Sequence, residues 1–164
     1  LDEDAERRII RATLDRLSSA TGQDIAGWMS PARSESANTP RLLAEAGLRY
    51  LCDWVNDDMP YPMHTDAGPV IAMPSTQDLD DRKCMIDLGH GEDVWQQQIL
   101  DAADVLQAEA QRQGGRILHV GLTPYVAGQP FRIGAVRELL ADLARRPGFW
   151  PATGRQILDA WQAG

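Results

Sequence analysis

The sequence predicts an α/β fold of about five mainly parallel strands with helices packed outside them. Three observations carry this expectation. Short apolar runs alternate with amphipathic helical stretches along the chain, and that alternation implies parallel pairing through helical crossovers. Several apolar runs empty into loops rich in Asp, Asn, Ser, Arg and Pro, the arrangement seen at the carboxyl ends of parallel strands. No internal repeat, low-complexity tract or linker divides the 164 residues, so a single domain with its own core is expected. About five strands is few for a closed barrel, which takes around eight.

The elements follow from spacing. Residues 2–20 place Ile10, Leu14 and Leu17 on one helical face, with Gly22 as a stop. Residues 25–29 read as a short strand that ends in the polar loop 30–36. Thr39 as N-cap and Pro40 at the first helical position predict a helix over 40–46, stopped by Gly47. Residues 49–54 are the next strand, leading into the turn-rich 56–62. Residues 70–73 form a third apolar run, followed by Pro74 and the polar stretch 75–81. From 82 to 91 the periodicity gives no element. Trp95, Ile99, Ala102, Ala103, Leu106 and Ala110 keep one face apolar over 92–113, closed by Gly114-Gly115. A strand over 117–122 precedes a helix carrying Ile133, Val136, Leu140 and Leu143. A short strand at 149–150 comes last before Thr153 and Gln156, which form a capping box for a terminal helix.

Composition narrows the function classes. The chain is 43% apolar and 24% charged, with a formal net charge of −8. That balance suits a soluble globular protein and argues against nucleic acid or an anionic membrane surface, both of which are bound through clustered Lys and Arg. No apolar run approaches the roughly 18 residues a membrane span needs, and the acidic Leu1-Asp2-Glu3-Asp4 is the reverse of a signal-peptide start. A cytoplasmic location is the expectation. Cys52 and Cys84 give neither a zinc-ligand pattern nor a disulfide scaffold and read as small buried hydrophobes.

Four loops could converge on one polar pocket: those beginning at Met29, Trp54, Met73 and Thr123. Turn residues are also what any strand end carries. Asp57-Asp58 could share a proton or hold a metal, but neighbouring side chains on an extended segment point opposite ways, which favours a turn role. His64, His90 and His119 show no metal-ligand spacing, and His119, inside an apolar run, reads as a core residue. Trp28, Trp54, Tyr61, Tyr125 and Trp150 fall at or near strand ends, where they pack in a core or stack on a ring-shaped ligand. There is no Walker loop or GxGxxG, and Gly27-Trp28-Met29-Ser30-Pro31 lacks the second glycine of a nucleophile elbow.

At these loops the chain resembles the polysaccharide deacetylase superfamily (NodB-homology, carbohydrate esterase family 4), in its allantoinase-like branch and over the C-terminal half only. The resemblance runs in order through Gly27-Trp28-Met29-Ser30-Pro31 with Asn38-Thr39, then Tyr50-Leu51-Cys52-Asp53-Trp54-Val55-Asn56-Asp57-Asp58-Met59-Pro60-Tyr61. It continues through residues 74–81 and ends with Val120-Gly121-Leu122-Thr123-Pro124, Gly128-Gln129-Pro130 and Arg132. It implies a partial, distorted β/α barrel and hydrolysis of an amide or cyclic amide carbon–nitrogen bond in a small amide, ureide or N-acetyl sugar. Arg33 would orient a carboxylate, Asp57, Asp58 and Tyr61 would shape the pocket, and Arg132 would anchor an anionic or carbonyl group. Thr123 stands where the family carries a histidine, and a hydroxyl that does not titrate near neutral pH cannot serve as that acid. The family's catalytic Asp pair and metal-holding histidines belong to an N-terminal half absent from this sequence. The resemblance therefore implies no cofactor in this chain, with a divalent metal such as zinc only where a partner supplies the ligands. It also implies a complementary chain or homo-oligomer, because an open half-barrel exposes a sheet edge and apolar helix faces. The alternative is a non-catalytic binding or assembly subunit that retains the fold.

Overall fold

The computed structural model describes residues 2–164. Five α-helices, α1 (Glu3–Thr21), α2 (Thr39–Glu45), α3 (Glu92–Gln113), α4 (Ile133–Arg145) and α5 (Gly154–Ala163), accompany four strands, β1 (Gly27–Trp28), β2 (Tyr50–Leu51), β3 (Tyr61–Thr65) and β4 (Gly68–Ala72). The described residues form two compact units: those up to Pro74 together with Ala152–Gly164, and Ser75–Pro151.

The first unit holds the sheet, in the order β1-β2-β4-β3. β1, β2 and β4 run parallel, and β3 returns antiparallel along β4. The sheet is therefore open and mixed, flanked by helices, as part of a β/α barrel would be. Asp2 caps α1 by accepting from Ala5 N at 2.7 Å, and Glu3, Asp4 and Glu6 place negative charge on its first turn, where the helix dipole favours it. Gly22 ends the helix in the left-handed conformation, φ 66°. Ile10, Leu42, Leu43, Leu48, Leu51 and Val70 make the core. The capping box of Thr153 and Gln156 opens α5 as the sequence predicts. Arg49, beside β2, reaches α5 through Asp159 (2.7 Å) and Gln162 (2.9 Å).

The second unit is built on α3 and α4. Trp95, Ile99 and Ala103, each four residues from the last, are buried on one face of α3 with Val136 and Leu139 of α4. Trp95 is fully buried and its indole N–H donates to Leu79 O at 2.9 Å, which satisfies the one polar atom the ring brings inside. Residues Arg82–Asp87, where periodicity gives no element, form a six-residue π-helix.

Three expectations need correction. Residues 117–122 make no strand. Leu118 and Val120 pack on the core of the second unit, but the ladder positions are taken by side chains and turns: Gly121 N donates to Asp80 Oδ1 at 2.9 Å and Gly121 O accepts from Asp81 N at 3.1 Å. Residues 149–150 also make no strand, because Phe149 N closes a turn onto Arg146 O and Trp150 is exposed. Conversely, the stretch 56–62, read as a turn-rich loop, ends in β3. Pro62 masks that strand in the sequence; on the sheet's edge a residue without an N–H is tolerated.

Candidate functional site

The carboxyl ends of β1 and β2 carry the most organised polar cluster of the first unit. A 3₁₀ turn, Pro31–Arg33, follows β1, and Ala32 and Arg33 both sit at positive φ (52° and 54°). Two consecutive non-glycine residues in that region are uncommon and strained. The turn is held from both sides. Ser30 N donates to Asp53 Oδ1 at 2.8 Å, and the Trp28 indole donates to Ser30 Oγ at 3.0 Å. At the far end, Ser36 Oγ and Thr39 Oγ1 both donate to the Glu6 carboxylate of α1, Ser36 at 2.6 Å. Thr39 thus tethers the loop instead of capping α2 with its hydroxyl, as the sequence suggests; the N-cap position falls to Asn38.

Glu35 belongs to this cluster. Its Oε1 accepts from the Trp54 indole at 2.5 Å, and burial, reinforced by the Asp53 and Glu6 charges, pushes its carboxyl above the usual glutamate range against the Trp54 hydrogen bond. Burial, with the Asp53 charge beside it, pushes the Cys52 thiol up to about 11, which leaves little thiolate near neutral pH. Tyr61 opens β3, and burial raises its phenol. Asp57 and Asp58 are exposed, and Asp57 Oδ1 accepts from Asp58 N at 2.7 Å. That is a turn contact, and the two carboxylates share no buried site.

In the second unit, Asp81 is fully buried and organises the loop that carries Thr123. Its Oδ1 accepts from Arg82 N (2.6 Å), and its Oδ2 accepts from Thr123 N (2.8 Å) and Ala127 N (3.1 Å). Asp80 lies so close to Gly121 that a Cβ there would come within 2.1 Å of its Oδ1, so a side chain at this position would displace that carboxylate. Next to Thr123 is a small apolar pocket of about 140 Å³, lined by Leu122, Pro124, Ala127, Gly128, Ile133 and Val136. Arg132 is held by Glu92 at 2.8 Å, and its guanidinium lies 4.9 Å from the Phe131 ring centroid. An anionic ligand at Arg132 would compete with that carboxylate.

The three histidines do not meet. His64 lies exposed on β3, His90 Nδ1 is 3.2 Å from Gln98 Oε1, and His119 Nδ1 is 2.9 Å from Thr76 O. Among the described residues, no group of three His, Cys, Asp or Glu side chains is placed to hold a metal ion. The residues present do not fit zinc. No described helix is long and apolar enough to cross a membrane.

Sequence reasoning grouped the loops beginning at Met29, Trp54, Met73 and Thr123 and read Trp54 as a packing or stacking aromatic, but it gave no role to Glu35 or Asp53. Asp53 and Trp54 stood inside the quoted motif; Glu35 gave no signal, because its role depends on Trp54 reaching back across 19 residues. The buried carboxylate Asp81 was likewise visible only as one of several loop acids.

No protein-family model matches the sequence. The Schizosaccharomyces pombe (strain 972 / ATCC 24843) protein named "Putative polysaccharide deacetylase" is 29% identical over 121 residues, 68% of this chain and 38% of its own length. The crystal structure of Puue allantoinase superposes with a TM-score of 0.89 at 29% identity, covering 99% of this chain and 54% of that one. That of a "probable Polysaccharide deacetylase" from Pseudomonas aeruginosa PAO1 gives 0.88 at 28% identity, covering 99% and 55%. The chain spans about half the length of these solved relatives and 38% of the curated one. Sequence and structure together thus give this chain the fold of the polysaccharide deacetylase (NodB-homology) superfamily, a superfamily-level relation to its hydrolases.

Proposed function

We propose that this chain is one part of a hydrolase that cleaves the carbon–nitrogen bond of an amide, a ureide or an N-acetyl sugar. The catalytic base, and any divalent metal, come from a segment or partner chain outside these residues. The observation that carries the reading is the strained turn after β1, held by Asp53 at the end of β2 in a fold shared with an allantoinase. Backbone strain of this kind is kept where the surrounding contacts enforce it, as at binding sites. Arg33 would orient a substrate carboxylate, with Asp57, Asp58 and Tyr61 shaping the rim. Arg132, released from Glu92, would take an anionic or carbonyl group.

Thr123 favours a second reading, a binding or assembly subunit without chemistry. Its backbone N–H is held by Asp81, but its hydroxyl is no acid near neutral pH. The two readings separate in one assay. The chain is tested on allantoin and on N-acetylated sugars, alone and with a complementary fragment made from the half of the Puue allantoinase that it does not match. Hydrolysis only in the reconstituted pair supports the hydrolase reading, and Thr123→His should then raise that rate, by up to the 10²–10⁴-fold typical of acid–base catalysis, roughly. Stable association without turnover supports the second reading. Robust turnover by the chain alone overturns the division of labour.

A further inference from the structure

We propose that Glu35 and Asp53 hold a single proton between them, which makes the loop after β1 a pH-sensitive latch on the end of β2. The carboxyl oxygens themselves point to it. Glu35 Oε1 is occupied by the Trp54 indole N–H and Asp53 Oδ1 by the Ser30 N–H. The other two, Glu35 Oε2 and Asp53 Oδ2, are both shut off from solvent and meet no donor, and Asp53 lies near enough to raise the Glu35 carboxyl. Two ionised carboxylates in that position would repel each other and leave both buried oxygens unsatisfied. One proton on Glu35 Oε2, donated to Asp53 Oδ2, satisfies both atoms.

The surrounding charges decide which carboxyl keeps the proton. Burial, the Asp53 charge and Glu6 of α1 all disfavour ionised Glu35, while the Trp54 hydrogen bond opposes them. Asp53 Oδ1 already accepts the Ser30 N–H, so the shared proton is assigned to Glu35. Cys52, with its thiol raised to about 11, stays neutral over this range.

The direction of the pH effect follows. A glutamate whose folded pKa lies above its unfolded value binds more protons when folded, so stability falls as pH rises from the unfolded to the folded pKa. The latch is closed on the acid side. As pH rises through the Glu35 pKa, repulsion from Asp53 loosens the Trp54 and Ser30 bonds, and with them the turn that carries Arg33. This inference rests on the contacts of the loop and not on the hydrolase reading.

The test uses the full chain followed by NMR of its carboxyl carbons and indole N–H groups, together with thermal melts, from about pH 4 to about pH 8. The Glu35 carboxyl should titrate above the ordinary glutamate range, the Trp54 indole N–H should shift with the same midpoint, and the melting temperature should fall through it. Glu35→Gln puts an amide N–H where the proton sits and still accepts from Trp54, so the indole step should vanish and the melt become flat across that window. Asp53→Asn removes the neighbouring charge but not the burial, so it should lower the Glu35 midpoint without restoring the ordinary range, and it gives a reading even if Glu35→Gln folds poorly. A Glu35 midpoint in the ordinary range in the wild type, or an indole step that survives Glu35→Gln, would overturn the proposal.

Discussion

Asp81 shows how much one buried carboxylate can organise. It holds three backbone N–H groups from two segments more than 40 residues apart, of which Ala127 N also reaches Thr123 O at 3.1 Å. Asp81→Ala takes the acceptor from Arg82 N and Thr123 N, each worth about 1–3 kcal/mol where left unpaired. Urea denaturation should therefore show a stability loss of several kcal/mol, and a loss below about 1 kcal/mol would mean the loop relaxes to solvent. Asp81→Asn should fall between, because its one carbonyl oxygen can still accept while its amide faces donors. Cys52 makes a prediction of a different kind. With its thiol pushed up to about 11, only about one molecule in 10⁴ carries the thiolate at neutral pH, so a thiol reagent should label it slowly in the folded chain and quickly in denaturant. Fast labelling of the folded protein would show that the loop around Asp53 opens.

Helices and strands fared differently because they are written differently in a sequence. The long helices carry their signal over many residues, and their ends over caps that need only neighbours, as Gly22 and the Thr153–Gln156 box show. The strands are two to five residues long, and the parallel ones depend on partners about twenty residues along the chain. Gly27 of β1 illustrates the dependence. A Cβ there would lie 2.1 Å from the Tyr50 ring of β2, a contact that no local pattern reveals. Gly27→Ala should cost about 1–3 kcal/mol by forcing that ring aside. Gly134 of α4 has open space around it, so Gly134→Ala should stabilise by roughly 0.5–1 kcal/mol through helix propensity. Equal effects in thermal melts of the two variants would contradict the packing described for Tyr50.

For the chain as a whole, the donor inventory sets the expectation on metal. With His64, His90 and His119 apart and no group of three ligands among the described residues, the dialysed chain should retain no stoichiometric zinc by elemental analysis. One tightly held ion per chain would show that the ligands assemble in a way these contacts do not reveal. The net charge of −8 adds a second expectation: the chain should show no salt-sensitive retention on a nucleic-acid column, since such binding rests on clustered Lys and Arg.

By itself the sequence determined the α/β class, the helices and the loops that carry the polar residues, because apolar periodicity and capping chemistry act between neighbours. Motif order also pointed to the superfamily whose fold the chain has. Three things were beyond its reach: the β3–β4 hairpin hidden by Pro62, the replacement of a ladder at 117–122 by Asp80 and Asp81, and the meeting of Glu35 with Asp53 and Trp54. The hairpin is local and is hidden by Pro62 alone, while the other two bring together groups 19 to 46 residues apart, where loop closure and burial, not local preference, fix the outcome. A buried carboxyl must find a partner, and which partner it finds is settled only when the chain has folded.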